Sequence, residues 1–223
     1  MTPVFIINFK NYPEGLGSRA IELARIAEEV SREVNVEMIV APSTPMLGTV
    51  CTSVTLPVFA QKADDMETGK STGAVVPESL VSAGCSGSLL NHSESRIPMA
   101  SIQTLVVRMK SLGLKACVCA ETSKELREAA GFGPEYVAIE PPALIGSGVS
   151  VSKTRPDLIL DSTRTARDVQ YTGRVLCGAG IVDRDDARKA MDLGSDGILV
   201  ASSVLRSPDP RKKIEELASA IVS

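Results

Sequence analysis

Residues 3–10 read PVFIINFK. Four consecutive apolar residues, Val4 to Ile7, break the apolar/polar alternation of a strand with one wet face. A strand buried on both faces is implied, and such strands belong to parallel sheets covered by helices. Ala20, Leu23, Ala27 and Val30 then follow at helical spacing, and a second apolar run occupies residues 36–42. The unit repeats. Further runs lie at 57–63, 87–92, 114–120, 136–141, 174–180 and 196–202, and the last is followed by Ile214, Leu217, Ala218 and Ile221, again at helical spacing. Thr122 with Glu125 reads as a capping box, and Asp183 and Pro210 stand where the seventh and eighth helices should begin. The stretch 44–53 is the weakest helix in the series.

Eight strand–helix units in 223 residues average about 28 residues each, and no Pro/Gly/Ser-rich linker or composition shift divides the chain. These units close most naturally into a single (β/α)8 barrel spanning residues 1–223, with an open doubly wound sheet as the rival. In a barrel the chemistry gathers at the carboxyl ends of the strands.

At those ends stand residues of unusual type. Strand one finishes Asn8-Phe9-Lys10, and alternation puts Asn8 and Lys10 on one face. Strand four finishes Asn91-His92-Ser93-Glu94, with the only histidine of the chain. Ser93 or Ser95 would cap the following helix and set His92 beside its positive end, which favours a neutral imidazole. Strand six finishes in Glu140, a carboxylate after Val137-Ala138-Ile139 that is costly to bury unless it is paired or used. Behind it, Pro141-Pro142-Ala143-Leu144-Ile145-Gly146-Ser147-Gly148 is stiff, then apolar, then permissive, as a lid that swings in one piece requires. Strands seven and eight finish in Gly178-Ala179-Gly180-Ile181 and Ala201-Ser202-Ser203, small residues that let backbone N–H groups approach an anion.

Other classes fit poorly. A formal charge of −3, aromatics at 3% and no Trp argue against nucleic acid as a partner. No apolar run approaches the roughly 20 residues that span a bilayer, and the first residues lack a signal-peptide pattern, so a cytoplasmic protein is expected. Thr68-Gly69-Lys70-Ser71 imitates a P-loop end, but Asp64 occupies the position of its first glycine. Gly178-Ala179-Gly180 lacks the third glycine of a dinucleotide fingerprint, because Asp183 stands there. Cys117 and Cys119 share a strand face and read as buried packing rather than metal ligands, and the five cysteines read as reduced thiols with no structural bridge.

Asn8-Phe9-Lys10, His92-Ser93-Glu94 and Glu140-Pro141 through Gly146-Ser147-Gly148, in this order on strands one, four and six, resemble the triosephosphate isomerase family in its short archaeal form. The resemblance runs from Val4 to Val222. It implies a TIM barrel, isomerisation of dihydroxyacetone phosphate and glyceraldehyde 3-phosphate in glycolysis and gluconeogenesis, and no cofactor or metal. It implies that Glu140 is the base, that neutral His92 polarises the carbonyl, that Lys10 stabilises the enediolate and Asn8 holds the substrate oxygen, with Glu94 alongside. Ile145, Gly146, Gly180, Ala201 and Ser202 would hold the phosphate. Self-association as a dimer or tetramer is implied through the loop between Gln61 and Val76. Phe9, Pro142, the Gly-Ala-Gly-Ile run and Ala201-Ser202-Ser203 depart from the usual family pattern. The alternatives are another phosphate-binding barrel enzyme and a barrel that only binds; an aldolase would need a Schiff-base lysine, and Lys115 stands at the wrong end of strand five.

Overall fold

The computed structural model describes residues 2–140 and 156–222. Among them, the eight expected strands form: β1 (Val4–Asn8), β2 (Glu37–Ala41), β3 (Phe59–Ala60), β4 (Gly87–Leu90), β5 (Lys115–Ala120), β6 (Tyr136–Ile139), β7 (Arg174–Cys177) and β8 (Gly197–Val200). They pair in parallel in the order β2-β1-β8-β7-β6-β5-β4-β3. A bridge between Val40 and Val58, with Val40 N–H donating to Pro57 O at 3.2 Å, brings the two edges together. The rival open sheet is thereby set aside.

The strands separate two apolar layers. Val4, Ile6, Ile39, Phe59, Leu89, Cys117, Cys119, Ala138, Leu176 and Leu199 fill the barrel. Phe5, Ile7, Met38, Val40, Val118 and Val137 face outward to the helices. Burial on both sides is what the unbroken apolar runs require.

The helices are α1 (Ser18–Val34), α2 (Leu47–Cys51), α3 (Pro77–Ser82), α4 (Met99–Ser111), α5 (Ser123–Gly131), α6 (Pro156–Asp168), α7 (Arg184–Asp192), α8 (Ser202–Leu205) and α9 (Pro210–Val222). The stripe Ala20, Leu23, Ala27 and Val30 is buried as its spacing requires. Asp183 caps α7 in a reciprocal box with Asp186, and Pro210 opens α9. The box expected at Thr122 is half formed: its hydroxyl accepts from Glu125 N–H at 3.2 Å, but the Glu125 carboxylate takes the Glu121 N–H instead. The weak helix at 44–53 is a 3-10 turn followed by the short α2.

One expectation is overturned. No helix starts at Ser93 or Ser95; α4 begins at Met99 behind Pro98. Residues 92–98 form a loop, pinned by Asn91, whose side chain donates to Cys119 O at 2.9 Å and accepts from Ile97 N–H at 3.2 Å. Among the described residues no helix is long and apolar enough to cross a membrane. The mimic Thr68-Gly69-Lys70 is an exposed loop.

Candidate active site

Alternation decides which strand-end residues meet. In β1, Val4 and Ile6 point into the barrel and Asn8 continues the series; in β6, Tyr136 and Ala138 do so and Glu140 follows. The register Ile139↔Cys177 sets Gly178 alongside Glu140. A Cβ on Gly178 would lie 2.5 Å from Glu140 Cγ, so the missing side chain is the space the glutamate occupies.

Glu140 is 2% exposed, and its backbone stays in the ladder, donating to Ala120 O at 2.8 Å. Its Oε2 is buried and meets no hydrogen-bond donor among the described residues. Burial pushes its pKa up to about 7, against the opposing pull of the Cys119 thiol and the Lys10 charge. A carboxyl balanced near neutrality with a free oxygen is suited to accept a proton.

His92 Nε2 lies 3.7 Å from that Oε2, too long for a hydrogen bond and close enough for both to touch one small molecule. His92 Nδ1 accepts from Glu94 N–H at 3.1 Å, which leaves the proton of the neutral ring on Nε2, facing the cavity. Burial, followed by the Lys10 charge, depresses the imidazole to about 4. Its neutrality is as expected, but burial and a neighbouring cation produce it rather than the end of a helix.

Lys10 lies beyond β1, not within it, and reaches the site from a backbone with φ +47. A non-glycine residue in the left-handed region persists when its surroundings hold it. Here Lys10 N–H donates to Asn8 Oδ1 at 2.9 Å, and Lys10 O accepts from Gln61 Nε2 at 2.9 Å. The ammonium reaches Glu94 Oε1 at 2.7 Å. Glu94 is itself 60% exposed and meets the site through Lys10, through its own backbone N–H and through Oε2, which lies 4.0 Å from His92 Nδ1.

Lys10, His92 and Glu140 line a cavity of about 240 Å³ together with Gly180, Ala201 and Ser202. Asn8, Lys10, His92 and Glu94 line an adjoining cavity of about 570 Å³. Every site residue expected from sequence within the described range therefore reaches one mouth of the barrel. Ile145, Gly146 and the lid expected at 141–148 lie outside the described residues. Lys115 is at the opposite mouth, bound to Glu37 and Tyr136.

Sequence reasoning missed four contributors. Gln61 holds the Lys10 carbonyl; Cys119, assigned to packing, also pulls the Glu140 carboxyl back down against its burial. Tyr12 and Arg206 line the smaller cavity, the guanidinium 4.8 Å over the Tyr12 ring. A readable signal existed for Cys119, an inward position one layer below a strand-end carboxylate. Among the described residues no three His, Cys, Asp or Glu side chains converge to hold a metal ion.

A family model described as triosephosphate isomerase matches residues 3–220. The chain is 38% identical over 218 residues to the triosephosphate isomerase of Methanocaldococcus jannaschii, covering 98% of this chain and 100% of that one. It is 42% identical to that of Methanothermobacter thermautotrophicus, covering 99% and 96%, and 41% identical to that of Archaeoglobus fulgidus, covering 98% of each.

Proposed function

The chain belongs to the triosephosphate isomerase family, and from this we propose that it interconverts dihydroxyacetone phosphate and D-glyceraldehyde 3-phosphate through an enediolate, with Glu140 as the base. The observation that carries the assignment of the base is a buried, unsatisfied carboxylate oxygen 3.7 Å from the Nε2 of a neutral imidazole, in a cavity that also holds the Lys10 ammonium.

The ionised Glu140 takes a proton from the carbon beside the carbonyl. The C–H electrons become the enediolate double bond, and charge gathers on the oxygen. His92 Nε2–H donates to that oxygen, Lys10 lowers the energy of the negative charge, and Asn8 holds the substrate end nearer β1. Glu140 then returns the proton to the neighbouring carbon while His92 passes the hydroxyl proton from one substrate oxygen to the other, so the carbonyl moves by one carbon and no redox partner enters. A positioned base contributes about 10²- to 10⁴-fold and preorganised donors a comparable factor, so the groups must act together. Backbone groups at Gly180, Ala201 and Ser202 grip the phosphate at the far side of the cavity, where Arg206 adds positive charge. Ile145 and Gly146 complete that grip on the strength of their sequence, and residues 141–148 exclude water from the enediolate.

The protein works as a single barrel domain in the cytoplasm. It self-associates as a dimer or tetramer through the loop from Gln61 to Val76, in which Met66 is 48% exposed.

The test is a coupled assay on glyceraldehyde 3-phosphate, repeated in heavy water. Rapid isomerisation with solvent deuterium entering the product at carbon is the expected result. A folded sample without turnover rejects the reading.

A further inference from the structure

Three of the five cysteines are sealed in the strands. Cys117, Cys119 and Cys177 are at most 1% exposed, and burial, first among the causes, raises each thiol above its ordinary range. The other two differ. Cys51 is the last residue of α2 and half-buried, while Cys85 lies two residues before β4 and is 8% exposed. They come from separate units of the barrel, yet their thiols share a hydrogen bond, Sγ to Sγ 3.9 Å.

The backbone on both sides is fixed. Thr52 N–H donates to Gly48 O at 3.2 Å at the end of α2. Cys85 N–H donates to Leu80 O at 2.9 Å, and Ser86 N–H to Val58 O at 2.8 Å. Between α3 and Cys85 the chain turns at Gly84 with φ +83, and a Cβ there would come within 3.3 Å of Cys51 Cβ. The glycine thus lets Cys51 sit against the turn that carries Cys85. The sulfurs are already within about 2 Å of a covalent separation near 2.05 Å, a distance that side-chain rotation can close.

We infer that Cys51 and Cys85 are an oxidisable pair, a modification site at which a low-molecular-weight disulfide closes an intramolecular bridge between the end of α2 and the turn that feeds β4. The step balances as thiol–disulfide exchange. The Cys51 thiolate attacks one sulfur of the reagent RSSR, forming a mixed disulfide and expelling RS⁻. The Cys85 thiolate attacks the Cys51 sulfur and expels the second RS⁻. The protein loses two protons and two electrons, and RSSR is reduced to two thiols. Cys51 is the attacking group because it is the more exposed. The shared hydrogen bond also holds its thiol below the ordinary range while pushing Cys85 up. The bridge lies by the strand starts, at the mouth opposite Glu140, so it makes no demand on the proposed active site.

The experiment treats the purified, folded protein with oxidised glutathione, blocks residual thiols, unfolds the chain and maps its peptides. The expected result is loss of two of the five thiols, a single Cys51–Cys85 link within one chain, and full recovery with dithiothreitol. The variant Cys85→Ser should stop at a glutathione adduct on Cys51. Five free thiols after treatment, a persistent glutathione adduct on Cys51 of the parent, or a link involving any other cysteine or a second chain would overturn the inference.

Discussion

A single buried glutamate sets the pH behaviour at the residue scale. As the proposed base Glu140 can act only when ionised, so kcat/KM should rise with pH through an apparent pKa of about 7 and fall roughly tenfold per unit below it. His92, with its pKa near 4, stays neutral across that range. A profile flat from pH 5 to 8 would remove Glu140 from the mechanism. The same shift has a stability consequence. In the unfolded chain Glu140 releases its proton near 4.5 and in the folded chain near 7, so its stabilising contribution is present below 4.5 and lost as pH rises through 7. His92 runs the other way: folding lowers it from 6.5 to about 4, so its contribution is present above 6.5 and lost as pH falls through 4. Between about pH 4.5 and 6.5 the two slopes oppose each other. Removing the glutamate charge isolates its part: Glu140→Gln should match the parent in melting temperature at pH 4 and exceed it by several degrees at pH 8, from a burial cost on the order of 3 kcal/mol. Equal melting at both values would contradict the buried charge.

Neighbouring elements restrict what can stand beside these residues. Because β7 runs in register with β6, Gly178→Ala should drive the Glu140 side chain out of place and lower kcat/KM at least tenfold, for a stability loss of only about 1–3 kcal/mol. Activity equal to the parent would show that Glu140 has room to spare. The Cys51–Cys85 bridge would close a loop of about 35 residues through β3. On chain-entropy grounds this is worth about 3–4 kcal/mol, a rise in Tm of roughly 5–10 °C. An unchanged Tm in the fully bridged protein would contradict the fit of the bridge to the native backbone. Elements also mark where sequence reading failed. Ser93 and Ser95 have the composition of helix caps, but Asn91 and Pro98 compete for the segment: the first anchors a loop with its amide, and the second disfavours helix at Ile97. Pro98 was the readable signal, since a helix starting at Ser93 would have met it within its second turn.

At the scale of the whole molecule, the barrel was legible because burial on both faces leaves an unmistakable trace in runs such as Val4 to Ile7, and the gathering of Asn8, His92 and Glu140 at one mouth was legible because the strand ends of a barrel share a rim. Tyr12, Gln61 and Arg206 were not. They lie in loops and reach the cavity only once the cylinder has formed, and nothing local in the sequence reports that. The edges where β2 and β3 meet were over-read for a similar reason. The apolar run at 57–63 suggested a full strand, whereas β3 pairs over only Phe59–Ala60 because the following chain leaves the sheet and Gln61 turns to Lys10. What the closed barrel accomplishes is to bring a lysine, a histidine and a glutamate from distant parts of the chain to one cavity. The measurement that tests this most directly is the turnover of glyceraldehyde 3-phosphate by Glu140→Gln at pH 8, with the fold verified and the parent assayed beside it. The account predicts a fall in kcat on the order of 10³-fold or more with KM little changed; turnover like the parent's would contradict it.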